Sequence, residues 1–260
     1  MGFLCIYFLS SHFHLHRLPI HTNLHPQILA GADTTGILLK AIIYHILRNP
    51  TTHTRLVAEL HSANLTYPPA HSTLTPLPYL SACIQEALRI HPVIGHIIER
   101  VVPASGFTLA LRSPRSTSDR HDGESGESIT LPAGTIIGMN PWLIHRNTAI
   151  FGPDPDDFVP ERWLQGPQEA TSEFEARIKK MRDADMSFGN GNRTCLGKPL
   201  ALVELYKVAA TLFGRYKVCF RSCYPCGIVC EWGEKDLRLR MQVLTSVYRS
   251  SLKIQAVNGG

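Results

Sequence analysis

Phe188-Gly189-Asn190-Gly191-Asn192-Arg193-Thr194-Cys195-Leu196-Gly197 sets one cysteine in a glycine-rich loop, with an arginine two residues ahead of it. A helix-forming run, Leu200 to Leu212, follows directly. Glycines let backbone amides approach a sulfur closely. The start of the next helix offers unpaired N–H groups and a positive dipole end, which favour a thiolate over a thiol. Arg193 adds a positive charge suited to a carboxylate. The bland alternative is a glycine-rich turn around a buried structural cysteine.

Three further stretches are read outward from this loop. Ala30-Gly31-Ala32-Asp33-Thr34-Thr35 lies in a run that reads as helix from His25 to Leu47, apolar at Ile28, Leu29, Ile37, Leu38, Ile42, Ile43 and Ile46. An acid beside a hydroxyl in mid-helix is a poor choice for propensity, and Gly31 weakens the helix further. A local rule broken inside an element points to a functional position. The competing reading has the Asp/Thr side chains bonding back to helix carbonyls. Glu86 and Arg89 lie three apart on a helix expected from Pro78 to His91 and so share a face. Alone, such a pair says little, because surface ion pairs are common and weak. Phe158-Val159-Pro160-Glu161-Arg162-Trp163 follows them in the chain.

In this order the four segments resemble the motifs of the cytochrome P450 family. The loop matches Phe-Gly-x-Gly-x-Arg-x-Cys-x-Gly; the others match the distal helix, the Glu-x-x-Arg helix and the Pro-Glu-Arg segment. The resemblance implies a mainly α fold with small β-sheets, of which this chain holds the C-terminal half. It implies haem b as cofactor, with Cys195 as axial thiolate on the iron. Phe188, Gly189 and Gly197 would shape the haem loop, and Arg193 and Arg100 would hold the propionates. Thr34 would hold bound dioxygen and its water, and Asp33 would relay protons. Glu86, Arg89 and Arg162 would form a buried charge network behind the haem.

The implied reaction inserts one atom of O2 into an organic substrate, with electrons from NADPH delivered by a reductase. Arg193, Lys198 and Lys207 would belong to the face that docks this reductase. Several stretches, among them Glu99-Arg100-Val101-Val102-Pro103, are similar in wording to fungal pisatin demethylase-like members, which implies secondary metabolism. A catalytically inactive fragment or faulty gene model stands beside this reading, as does a small haem- or zinc-binding module.

The motifs fall within residues 25–220. Residues 1–24 read as an extension foreign to the family, ascribed to a misplaced start or an unspliced intron. Its apolar run is too short to span a bilayer, and it lacks the basic leader of a signal peptide. The alternating His12, His14 and His16 have no Cys or acidic partner nearby. Residues 112–128 read as a polar, disordered insertion between two strands. Leu131 to Gly138 reads as two short strands around a Pro132-Ala133-Gly134 turn, and Arg215 to Phe220 as a strand. His145 and Arg146 read as structural. Residues 221–260 read as a divergent tail. Its cysteines, counted with Cys219, are spaced too tightly for the separated pairs of common zinc folds.

The chain is 44% hydrophobic and carries a net charge of +5. No basic run interleaved with aromatics suggests nucleic acid. Seven cysteines without a secretory leader favour a reducing compartment. As written the chain is expected in the cytoplasm, without a membrane anchor; a full-length family member is expected on the endoplasmic reticulum membrane.

Overall fold

The computed structural model describes residues 21–110, 128–220 and 252–256. Among the described residues, five helices build the main core, four of them consecutive in the chain. Helix α1, His21–Arg48, is followed by α2, Pro50–Ser62, and the short α3, His71–Leu74. Helix α4 is Pro78–Ile90. Asn49 breaks α1 from α2: its Nδ2 donates to the His45 carbonyl at 2.7 Å. Pro50 then starts α2 where a helix has no use for an N–H.

Leu38, Ile42 and Ile46 recur every four residues along α1 and are buried. They meet Leu56 and Leu60 of α2, and Leu80, Ile84 and Ala87 of α4. The long C-terminal helix, Lys198–Arg215, closes this core with Leu205, Ala209 and Phe213. Each large apolar side chain so buried contributes roughly 1.5–3 kcal/mol.

Among the described residues, four strands, three α-helices and two 3-10 turns lie between α4 and that helix. Strands β1, Ile98–Val101, and β4, Ile136–Met139, pair antiparallel, with Arg100 opposite Ile137. Strands β2, Phe107–Ala110, and β3, Ser128–Leu131, also pair antiparallel. The Pro132-Ala133-Gly134 turn therefore joins strands of two different sheets. Gly134 has φ +80°, and its N–H donates to the Val102 carbonyl at 3.0 Å. Ser128 belongs to β3, so the insertion gives up its last residue to a strand. Its expected disorder lies outside the described residues.

Helices α5, Pro141–Ile144, and α6, Thr148–Phe151, precede a 3-10 turn at Pro160–Trp163 and helix α7, Thr171–Asp183. Helix α7 packs Ile178 and Met181 with Phe151 and Trp163 in a second, smaller cluster. Helix α8, Lys198–Arg215, runs into β5, Tyr216–Phe220, so Arg215 closes the helix and the strand begins one residue later than the sequence reading had it. Strand β6, Leu252–Ala256, pairs antiparallel with β5. The N-terminal extension with its histidines, and Cys223, Cys226 and Cys230, lie outside the described residues.

No helix among the described residues is long and apolar enough to cross a membrane. Nor do the described residues hold a His/Cys/Asp/Glu group able to bind a metal ion by itself.

Candidate functional site

The loop before α8 is closed on itself. The Cys195 amide donates to the Phe188 carbonyl at 2.9 Å, and the Gly189 amide to the Met186 carbonyl at 3.0 Å. Gly189 and Gly191 take φ of +70° and +68°, a region that L side chains rarely adopt. Thr194 Oγ1 donates to the Gly191 carbonyl at 2.8 Å. Cys195 is exposed, and Leu196 beside it is 100% exposed. A Cβ built on Gly197 would meet Cys195 Sγ at 3.7 Å, an ordinary contact. Helix α8 begins three residues after the cysteine, and Pro199 contributes no N–H to its first turn.

Behind the loop lies a buried carboxylate. Glu86 and Arg89 are 0% and 1% exposed. Glu86 Oε1 accepts from Arg89 Nη2 at 2.8 Å, Arg162 Nε at 2.9 Å and the Val159 amide at 3.0 Å. Its Oε2 accepts from Arg89 Nε and Trp163 Nε1, each at 2.8 Å. Arg89 also donates to the carbonyls of His145, Pro155 and Asp157. Arg162 donates to Asp154 and to the Phe151 carbonyl. A buried charge persists only when paired and fully hydrogen-bonded, and this one is.

The same helix end is tied to the loop. A helix leaves its last four carbonyls without partners in the helix. In α4 three of them are taken by side chains from elsewhere. Leu88 O accepts from Ser187 Oγ at 3.2 Å, Arg89 O meets His145 Nδ1 at 2.8 Å, and Ile90 O accepts from Arg146 Nη2 at 3.1 Å. His145 is fully buried, and burial holds its pKa below the usual histidine value. Trp163, Ser187 and this dual bonding of His145 were missed by the motif reading. Only the adjacency of Trp163 to Arg162 could have signalled the tryptophan.

The remaining positions singled out from sequence are more isolated. Asp33 and Thr34 are exposed on α1. Thr34 Oγ1 donates to the Ala30 carbonyl at 2.7 Å, the back-bonding considered as the alternative for this pair. Thr35, the next residue, faces the core at 7% exposure. Arg100 is exposed on β1 and donates only to the carbonyl of Glu99, at 2.7 Å. Arg193 is exposed, and no hydrogen bond or ion pair engages its side chain among the described residues. The structure thus joins Phe188 to Cys195 and Glu86 to Arg89 and Arg162. It forms no hydrogen bond or ion pair from Asp33, Thr34 or Arg100 to the loop. Of the apolar residues after α4, Val93 packs on the core, whereas Ile94 and Ile97 are about half exposed at 48% and 51%.

The site thus presents an exposed cysteine on a glycine loop tied to the end of α4, whose Glu86 and Arg89 join Arg162 in a buried network. Residues 7–223 match the cytochrome P450 family, and this chain belongs to it. A cytochrome P450 monooxygenase of Aspergillus flavus is 41% identical over 74% of this chain and 34% of its own length. The cytochrome P450 monooxygenase cicH of Emericella nidulans is 36% identical over 76% of this chain and 36% of its own. One of Aspergillus terreus is 39% identical, also over 76% and 36%. The chain therefore spans about a third of the length of these curated relatives. Their names lend no support to the finer likeness to pisatin demethylases.

Proposed function

We propose that this chain builds the proximal, haem-binding portion of a fungal monooxygenase acting on a small organic substrate, a secondary metabolite by the family resemblance. The observation that carries the proposal is the exposed Cys195 on a loop fixed by its own backbone bonds and by α4. The donor set suits haem. Cys195 offers a soft sulfur for iron. Arg193 and Arg100 are cations without a carboxylate partner among the described residues, suited to the two propionates. Leu196 at 100% and Leu200 at 65% exposure offer apolar surface to a macrocycle.

When bound, the haem supplies O2 chemistry with electrons from NADPH by way of a reductase: one oxygen atom enters a C–H bond and the other leaves as water. The chain's own residues do the positioning. Cys195 would give electron density to the iron, and Phe188, Gly189 and Gly197 would shape the loop that presents the sulfur. Thr34, its hydroxyl proton given to the Ala30 carbonyl, presents lone pairs that accept a hydrogen bond. Asp33, exposed beside it, would relay protons. Glu86, Arg89 and Arg162 hold the loop's support rigid. Arg193, Lys198 and Lys207 give the reductase a basic face, at the endoplasmic reticulum membrane for a full-length protein.

A second reading is a chain that binds haem without turnover, or not at all; among the described residues Thr34 and Arg100 bond only to the nearby carbonyls of Ala30 and Glu99. The carbon monoxide difference spectrum of the reduced chain, expressed with haem precursor, separates the readings. A strongly red-shifted Soret band, lost in Cys195→Ala, is the expected result. A histidine-type band, or none, would overturn the assignment of Cys195. Zinc in place of iron would favour a small zinc module.

A further inference from the structure

A cavity of about 370 Å3 lies between α3, α4, α8 and the approach to the Cys195 loop. His71, Trp163, Arg182, Phe188, Lys198 and Tyr206 are among its lining residues. Sites for small organic molecules span about 300–1,000 Å3, mostly apolar with a few polar groups that fix orientation. Phe188, Trp163 and Tyr206 share the apolar wall with Ile84, Leu88 and Leu202.

The polar groups carry a sign. Arg182 has no ion pair among the described residues, and neither does Lys198, whose Nζ lies 5.6 Å from the Phe188 ring centre. The lining contains one carboxylate, Asp185, and it is already engaged. Its Oδ1 accepts from Ser187 Oγ at 2.5 Å and from the Ser187 amide at 2.9 Å. The lining thus holds two cations without an ion pair among the described residues, and one carboxylate bonded to Ser187.

We propose that this cavity is a binding site for a small aromatic carboxylate. The anionic head is held by Arg182 and Lys198, the guanidinium suiting a carboxylate's two oxygens. The ring lies among Phe188, Trp163 and Tyr206. The site is separate from Cys195, yet it shares Phe188, whose carbonyl holds the Cys195 amide. An occupant therefore touches the residue that opens the loop.

The test is calorimetric titration of the 260-residue chain, haem-free and at low salt, with phenylacetate and with its neutral isostere phenylacetamide. Phenylacetate is expected to bind, with the amide about tenfold weaker. Arg182→Ala and Lys198→Ala should each weaken phenylacetate about five- to tenfold, with unchanged circular dichroism and urea midpoint. No heat at millimolar phenylacetate would mean that the cavity holds only water and would overturn the proposal. Equal binding of acid and amide, or indifference to both cation substitutions, would overturn it too. The measurement uses no haem, so its failure is distinguishable from failure of the Cys195 assignment.

Discussion

The Met186 amide donates to His145 Nε2 at 2.8 Å, so that nitrogen carries a lone pair and the ring proton sits on Nδ1. Nδ1–H then donates to the Arg89 carbonyl at 2.8 Å. One neutral imidazole thus joins the helix of the Glu86 network to the segment entering the Cys195 loop. Asp185, with Oδ1 at 3.5 Å from Nε2, pulls toward the charged form, but burial outweighs it.

His145→Phe should strand the Met186 N–H and the Arg89 carbonyl in the interior. Each buried group left unpaired costs about 1–3 kcal/mol. Urea unfolding is expected to show the loss as a lower midpoint at unchanged slope. Hydrogen exchange at Met186 should quicken well beyond the change at a remote α2 amide such as Leu60. Equal acceleration at both would show a global effect and argue against His145 as the local tie.

Removing one partner from the buried carboxylate network should be far costlier than removing an exposed pair. Glu86→Gln and Arg162→Leu are each expected to lose about 3–5 kcal/mol, because the charges left behind are buried without their counterion. Arg55, whose side chain is 55% exposed where it meets Glu161 at 3.0 Å, sets the comparison. Arg55→Ala should lose under about 1 kcal/mol. Equilibrium denaturation of the three variants at neutral pH tests this ordering.

Acid should destabilise the fold before its carboxylates titrate. Burial lowers the pKa of His45 to about 4, and lowers those of His53, His91 and His145. In each case the unfolded chain binds a proton that the folded chain refuses. This stability is fully present above about pH 6.5 and falls as pH drops toward 4. His45 lies stacked on Phe158 with ring centres 4.9 Å apart. Urea midpoints measured from pH 7.5 to 4.5 should therefore fall, and His45→Phe should flatten the slope. Glu169 adds a later loss: Arg177 and the Gly166 amide hold its pKa at about 2, so its contribution fades only as pH falls below about 4.5.

Glycine positions should divide into opposite signs. A Cβ on Gly138 would lie 2.6 Å from the Ile98 carbonyl oxygen, a backbone atom across the β1–β4 pair that cannot swing aside. Gly138→Ala is expected to destabilise by about 1–3 kcal/mol. Gly31 in α1 has nothing within 4 Å of its added Cβ. Gly31→Ala should stabilise the chain by up to about 1 kcal/mol. Thermal unfolding of the two variants checks the contrast.

Much of this was legible because the motifs are local. The run from Phe188 to Gly197 carries its own turn chemistry, and the apolar spacing of Leu80, Ile84 and Ala87 sets the buried face of α4. Helix α7 escaped, since its core contact rests on Ile178 and Met181 amid charged residues. The β2–β3 pairing was implied only as two strands flanking an insertion, because register across a long excursion leaves no short-range signal. The pairing of β5 with residues 252–256 left none either. His145 shows the limit most clearly. A histidine beside an arginine reads the same on a surface as in a core. Its role depends on Arg89 and Met186, which meet it only after the chain has folded.

The three borrowed partners at the end of α4 also bear on engineering. Because Ser187, His145 and Arg146 reach the helix from two different segments, the cysteine loop is not a portable cassette. Grafted alone onto another scaffold, the stretch from Phe188 to Gly197 would keep its turns and lose its anchorage. A transplant that holds its sulfur in place would have to include the last turn of α4 and the stretch through His145–Arg146.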